Sequence, residues 1–197
     1  ELGLREVKFL DYLDGALDKV DNAEAIEKIG GHLRRVRPHV VITFAPDGAY
    51  GHPDHIAISQ LTTAAIVCAA DPLFGRQSAL GEPHRVAKLY FIAWSTGKWA
   101  AYQAALRKLV VKVDGEERQA VPWPDWAITT VVDTSPVWPA VWRAVRCHKT
   151  QMTIFSKLEE LSEEHQRSLF GTQEFYRAFS LVNGGRAQES DLFEGLR

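Results

Sequence analysis

The residue string His52-Pro53-Asp54-His55 places two imidazoles and one carboxylate within four positions. Histidine is a common zinc ligand, and a ligating histidine is normally held by a further partner behind it. Two histidines three apart at a helix start can face one pocket without both binding a metal, so one can ligate while the other acts on a substrate. A lone His-x-x-His also describes a helix-capping loop with surface histidines. The longer string, Asp47-Gly48-Ala49-Tyr50-Gly51-His52-Pro53-Asp54-His55, is more specific. Gly48 and Gly51 open backbone conformations denied to other residues, and Pro53 stiffens the turn.

The elements around this loop decide what it can do. Residues 40–44 form a β-branched apolar run typical of a buried parallel strand. An apolar helix follows from about His55 to Ala70. Upstream, Ile26, Ile29, Leu33 and Val36 recur at helical spacing over residues 23–36, with Asn22 as the N-cap and Pro38 as the stop. Residues 7–10 read as a strand leading to a turn at Asp14-Gly15. Strand–helix–strand–loop–helix is the order of a doubly wound sheet, and ligands there bind beyond the carboxyl ends of the strands. The loop therefore sits where chemistry is expected.

Further on, residues 86–93 read as a strand, 100–109 as a helix and 127–132 as a strand capped by Asp133-Thr134-Ser135. Helices are expected over 136–147 and 152–164, and a last strand over 175–181. The expected fold is α/β, a Rossmann-like three-layer arrangement with a mostly parallel sheet, in a single domain over residues 1–197.

The composition excludes several classes. With 46% hydrophobic residues and a net charge of −2, the 197-residue chain is not disordered as a whole. Its 23 basic and 25 acidic residues give no nucleic-acid or polybasic membrane signal. No stretch approaches the roughly 18 apolar residues of a membrane span. Cys68 and Cys147 cannot build a disulfide scaffold, which points to a reducing, cytoplasmic setting.

The segment Arg37-Pro38-His39-Val40-Val41-Ile42-Thr43-Phe44, followed by Gly-His-Pro-Asp-His, resembles the LmbE/PIG-L family of zinc-dependent deacetylases. Residues 2–15 are similar to that family's second strand and its Asp-Gly end. Asp133-Thr134-Ser135, with His148 and Gln151, is similar to a late strand and helix. The tail Glu189-Ser190-Asp191-Leu192-Phe193-Glu194-Gly195-Leu196 is similar to the ending of many bacterial members.

The resemblance implies a metal ligand, His55, with zinc as the metal and another divalent ion such as ferrous iron as the alternative. It implies that His52 stabilises the oxyanion or protonates the leaving amine, that Asp54 pairs with His52 and holds it charged, and that Tyr50 donates to the polarised carbonyl. The implied reaction is hydrolysis of an N-acyl bond in a sugar-containing small molecule of the N-acetylglucosamine type. The alternatives are amidase action on a thiol conjugate of the same scaffold, or a non-catalytic binding module. The implied partners are that substrate and a second copy of the chain in a homo-oligomer. The family's His-Pro-Asp-Asp motif, which carries its other two ligands and its general base, is missing here, as is its substrate-binding Arg. The chain reads as the family without its first strand and helix, and a longer gene product is expected.

Other candidates carry two readings each. His148 either stands behind the site or ends a helix. Asp14 either contacts a sugar hydroxyl or forms a turn. The six tryptophans, all between Trp94 and Trp142, either pack or line a sugar-stacking wall. Cys68 and Cys147 read as buried packing residues rather than nucleophiles. His32, His39, His84 and His165 read as surface or edge residues. Specificity is expected on the loops at 75–83 and 112–126.

Overall fold

The computed structural model describes residues 3–76, 80–106, 110–113, 115–152 and 156–197. Parts of the expected 75–83 loop, 100–109 helix, 112–126 loop and 152–164 helix lie outside the described residues, as do the first two residues of the chain.

Helix α1 (Asn22–Val36) leads to strand β1 (Val40–Thr43), the short helix α2 (Gly48–Gly51) and helix α3 (Pro53–Ala70). Strand β2 (Lys88–Ile92), helix α4 (Thr96–Leu106) and a hairpin of β3 (Val110–Val113) and β4 (Glu116–Gln119) follow. Strand β5 (Thr130–Asp133), helices α5 (Trp138–Arg146), α6 (Lys149–Met152) and α7 (Glu163–Phe170), and strand β6 (Thr172–Ser180) complete the order.

The central sheet runs β1-β2-β6-β5. Helix α3 crosses over between β1 and β2, which pair in parallel with Val40 opposite Lys88 and Thr43 opposite Phe91. Strand β6 inserts antiparallel between β2 and β5. The expectation of a mostly parallel sheet is corrected on this point. Three strands share a direction, but β6 opposes both neighbours, so the sheet is mixed. Strand β6 leaves α7 through a tight turn at Gly171, whose N–H donates to the Arg167 carbonyl at 2.7 Å. The connection from β5 through α5, α6 and α7 is long enough for a parallel crossover, so the antiparallel direction is set by the end of the sheet at which α7 delivers the chain.

Helices α1 and α3 cover one face. Leu33, Ala65, Ile66 and Ala69 meet Leu89 and Phe91 of β2 there, with Ile26, Ile29 and Val41 packed alongside. A fully buried Leu or Ile in such a layer contributes ~1.5–3 kcal/mol. On the opposite face, α4, α5 and α7 pack around Leu158, Leu169 and Phe170, and the tail crosses Lys88 and Tyr90. A central sheet between two covering layers matches the α/β expectation.

Several local expectations shift. Asp21, not Asn22, caps α1: its carboxylate accepts the Glu24 N–H at 2.8 Å, because Asp21 is extended while Asn22 is already helical. The strand expected at residues 7–10 does not form. A strand needs a paired neighbour, and Val7 and Phe9 instead lie 66% and 76% exposed. The helix expected from 152 to 164 is broken: α6 ends at Met152, and Ser162 caps a separate α7 by accepting the His165 N–H. Most tryptophans pack, with Trp99 buried, Trp94 stacked on Tyr102 and Trp142 stacked on Phe170, while Trp126 is 86% exposed. Cys68 is only half-buried and Cys147 is exposed, contrary to the buried reading; both are free thiols. His84 is buried rather than peripheral, its Nε2 lying 2.8 Å from the Pro38 carbonyl.

Candidate active site

The loop leaves β1 at Thr43 and turns sharply. Asp47 starts α2 by accepting the Ala49 N–H at 3.0 Å, and the Gly51 N–H donates to the Asp47 carbonyl at 2.9 Å. Gly48 has φ +62°, and a Cβ there would come within 2.8 Å of Ile56 Cγ1, so only glycine fits. Ala49 stands at φ 66°, ψ −51°, a conformation that alanine rarely adopts. Helix α3 then opens with Pro53 at its first turn and His52 as its cap.

This turn brings the aromatic groups together. The Phe44 ring stacks on His55 at 3.9 Å, and His52 stacks on His55 at 4.7 Å between centroids. Tyr50 meets His55 edge-on at 5.3 Å and His52 at 5.8 Å. All three polar rings are half-buried.

Each imidazole has one nitrogen committed to the backbone. Nδ1 of His55 lies 3.2 Å from the Gly48 carbonyl. A carbonyl accepts, so this ring carries its proton on Nδ1 and keeps a lone pair on Nε2. Nδ1 of His52 instead accepts the Asp54 N–H at 3.2 Å, so the neutral His52 ring carries its proton on Nε2. Burial pushes the His55 pKa down, with His52 adding to that effect and the Gly48 carbonyl opposing it. Burial, reinforced by the charge of Asp14, raises the Tyr50 pKa and keeps the phenol protonated.

The Asp54 carboxylate lies elsewhere than the resemblance implies. It accepts the N–H of Gly15 at 2.7 Å and of Leu17 at 3.0 Å. It is the Asp54 backbone N–H, not its carboxylate, that meets His52. The carboxylate thus ties the Asp14-Gly15 turn to the start of α3, and exposed Asp14 lies close enough to act electrostatically on Tyr50 and His55. His148 is exposed, and its backbone bonds go to the end of α5 and to α6. Two contributors escape a reading of the sequence. Phe44 is legible as the end of an apolar strand but not as the floor under His55. Arg118 on β4 donates to the Gly51 carbonyl across 67 residues, and nothing in its local sequence marks it.

Comparison with known proteins places the chain in a family. The family described as PIG-L, GlcNAc-PI de-N-acetylase, matches residues 1–66, which end inside α3. A 1D-myo-inositol 2-acetamido-2-deoxy-alpha-D-glucopyranoside deacetylase of Streptomyces avermitilis is 34% identical in an alignment that takes in 100% of this chain and 72% of that protein. The chain belongs to the PIG-L family. A PIG-L relative of the same description from Rhodococcus jostii is 34% identical over 83% of this chain, but the chain spans only 57% of its length. A conserved protein of Thermus thermophilus, solved by crystallography, superposes with a TM-score of 0.56 at 22% identity, covering 89% of this PIG-L chain and 66% of that one. That likeness concerns the fold.

Proposed function

We propose that this chain carries part of the active site of a metal-dependent hydrolase that removes an N-acetyl group from a small molecule of the N-acetylglucosamine type. The carrying observation is the complementary state of the two stacked imidazoles. His55 keeps a lone pair on Nε2, suited to a metal, while His52 keeps an N–H on Nε2, suited to an oxyanion. Kinship with named deacetylases supports the same reading.

The donor set fits one corner of a zinc site. The Gly48 carbonyl behind His55 is the kind of partner that orients a ligating imidazole. Catalytic zinc takes about three protein ligands. Among the described residues no group of three or more His, Cys, Asp or Glu side chains converges on one point. Once bound, zinc or ferrous iron polarises an amide carbonyl and activates water.

This chain's own residues do the rest. Tyr50, kept protonated by burial and Asp14, donates to the carbonyl oxygen as negative charge develops. His52, whose neutral ring keeps its proton on Nε2, donates a hydrogen bond from there to the same oxygen. Asp54 serves by holding the 14–17 turn in place. We place the whole described chain in one deacetylase domain. The free thiols of Cys68 and Cys147 support a reducing compartment. No helix among the described residues is long and apolar enough to cross a membrane.

The test is acetate release by the whole protein from N-acetylglucosaminyl-inositol with zinc or ferrous iron supplied. Turnover that vanishes with a chelator and returns with metal supports the reading. Release of an amine from a thiol conjugate without acetate release replaces it with the amidase, and binding of the sugar without hydrolysis replaces it with a binding module.

A further inference from the structure

Arg118 sits at the edge of the site without belonging to the catalytic loop. It lies on β4 of the small hairpin, which packs against α2, and its Nη1 donates to the carbonyl of Gly51. Gly51 is the last residue of α2, immediately before His52. The next helical bond in the chain runs from the Ile56 N–H to the His52 carbonyl at 3.0 Å, so the Gly51 carbonyl faces the hairpin rather than extending α3. Gly51 has φ +75°, and a Cβ there would lie 3.3 Å from Arg118 Cδ and 3.5 Å from Nη1. The arginine stem therefore lies directly against Gly51, whose positive φ favours glycine, and its guanidinium closes over the carbonyl beside it.

We propose that Arg118 is a positioning residue for His52. The Gly51 carbonyl and the His52 nitrogen belong to one rigid peptide plane. Holding the oxygen holds that plane, and the plane sets where the His52 backbone starts. His52 is extended, at φ −69° and ψ 126°, as a helix cap must be. Its ring meets His55 at 4.7 Å only while that backbone is fixed. Inside the loop, the Asp47–Gly51 and His52–Asp54 contacts are short-range. Arg118 adds a tie from a separate element. Misplacing a catalytic group by about 1 Å costs up to about 100-fold in rate, which makes such a tie consequential.

This proposal rests on the deacetylase reading for its kinetic form, and its test separates the two. Arg118→Met keeps the aliphatic stem and loses the donor, while Arg118→Lys restores one donor. In the whole metal-loaded protein, with N-acetylglucosaminyl-inositol as probe, Arg118→Met lowers kcat about tenfold with KM changed less than about twofold. Arg118→Lys recovers most of that loss, and both variants melt within a few degrees of the parent. A methionine variant that turns over like the parent, or a lysine variant no better than methionine, overturns the proposal. If the parent releases no acetate, the deacetylase reading fails, and the His52 ring resonances in NMR spectra decide the positioning role. They shift in Arg118→Met and return in Arg118→Lys if it holds. Resonances unmoved by either change overturn it.

Discussion

The carboxylate of Asp54 accepts the N–H of Gly15 at 2.7 Å, across 39 residues of chain. Its other oxygen accepts Leu17 N–H at 3.0 Å. The side chain that stands between the two histidines in sequence thus clamps the turn that carries Asp14. Asp54→Ala leaves two amides without their acceptor and costs about 1–3 kcal/mol of stability, toward the low end because the contact is partly exposed. Hydrogen exchange checks the location: the Gly15 and Leu17 amides exchange faster in the variant. If both keep their parental rates, the clamp is not what Asp54 does.

The two histidines are separable by mutation. His55→Ala removes the Nε2 donor, and metal content measured on the purified whole protein drops accordingly. His52→Ala leaves metal content at the parental level while turnover falls about 10²–10³-fold, the usual cost of removing one oxyanion donor. Loss of metal in the His52 variant would reverse the two assignments.

Among the described residues, Ala49 in α2 joins Asp11 and Arg37 as non-glycine residues at positive φ. Ala49 adopts φ 66° and ψ −51°, which costs alanine far more than glycine. Ala49→Gly therefore raises the unfolding free energy by about 1 kcal/mol, after allowing for the added freedom of the unfolded chain. Gly48→Ala acts oppositely, because its Cβ would sit 2.8 Å from Ile56 Cγ1 at a φ of +62°. It lowers stability by about 1–3 kcal/mol and displaces the carbonyl that faces His55. Thermal melts of the pair give the signs directly.

Glu189 anchors the C-terminal tail beneath the sheet. Its carboxylate accepts from Lys88 at 2.6 Å, Arg177 at 2.8 Å, Thr130 at 2.8 Å, Tyr90 at 2.7 Å and Asn183 at 2.6 Å. Burial alone would push this carboxyl up, but the donors together outweigh it and hold the pKa at about 2. A free glutamate titrates near about 4.3. The folded value is the lower one, so the contribution is fully present above about pH 5 and is lost as pH falls toward 2. Stability measured against pH shows this loss in the parent and a flatter profile in Glu189→Gln. Glu189→Ala, which strands buried Lys88, costs about 3–5 kcal/mol at neutral pH.

The legible parts of the molecule are those written in local spacing. Strand β1, the turn with its glycines and α3 follow from adjacent residues, and so does the meeting of His52 with His55 at a helix start. Strand β6 is legible as a strand, but its direction is not, because direction depends on how α7 delivers it to the sheet. Residues 7–10 carry a strand pattern without a paired neighbour, and pattern alone cannot supply one. Glu189 stands out only as part of a familiar ending, since a carboxylate in a polar tail looks solvent-exposed until Lys88 and Arg177 are placed around it.

By itself, the sequence carried the resemblance to the family and determined the turn that brings His52 and His55 together, because a strand end, a glycine turn and a helix cap act over fewer than about ten residues. Only the tertiary structure decided what holds them. Asp54 reaches back to Gly15, Arg118 reaches back 67 residues to Gly51, and Glu189 reaches Lys88 across 101. Such bonds form wherever packing happens to bring a donor to an acceptor, and no short-range pattern of residue types encodes that meeting.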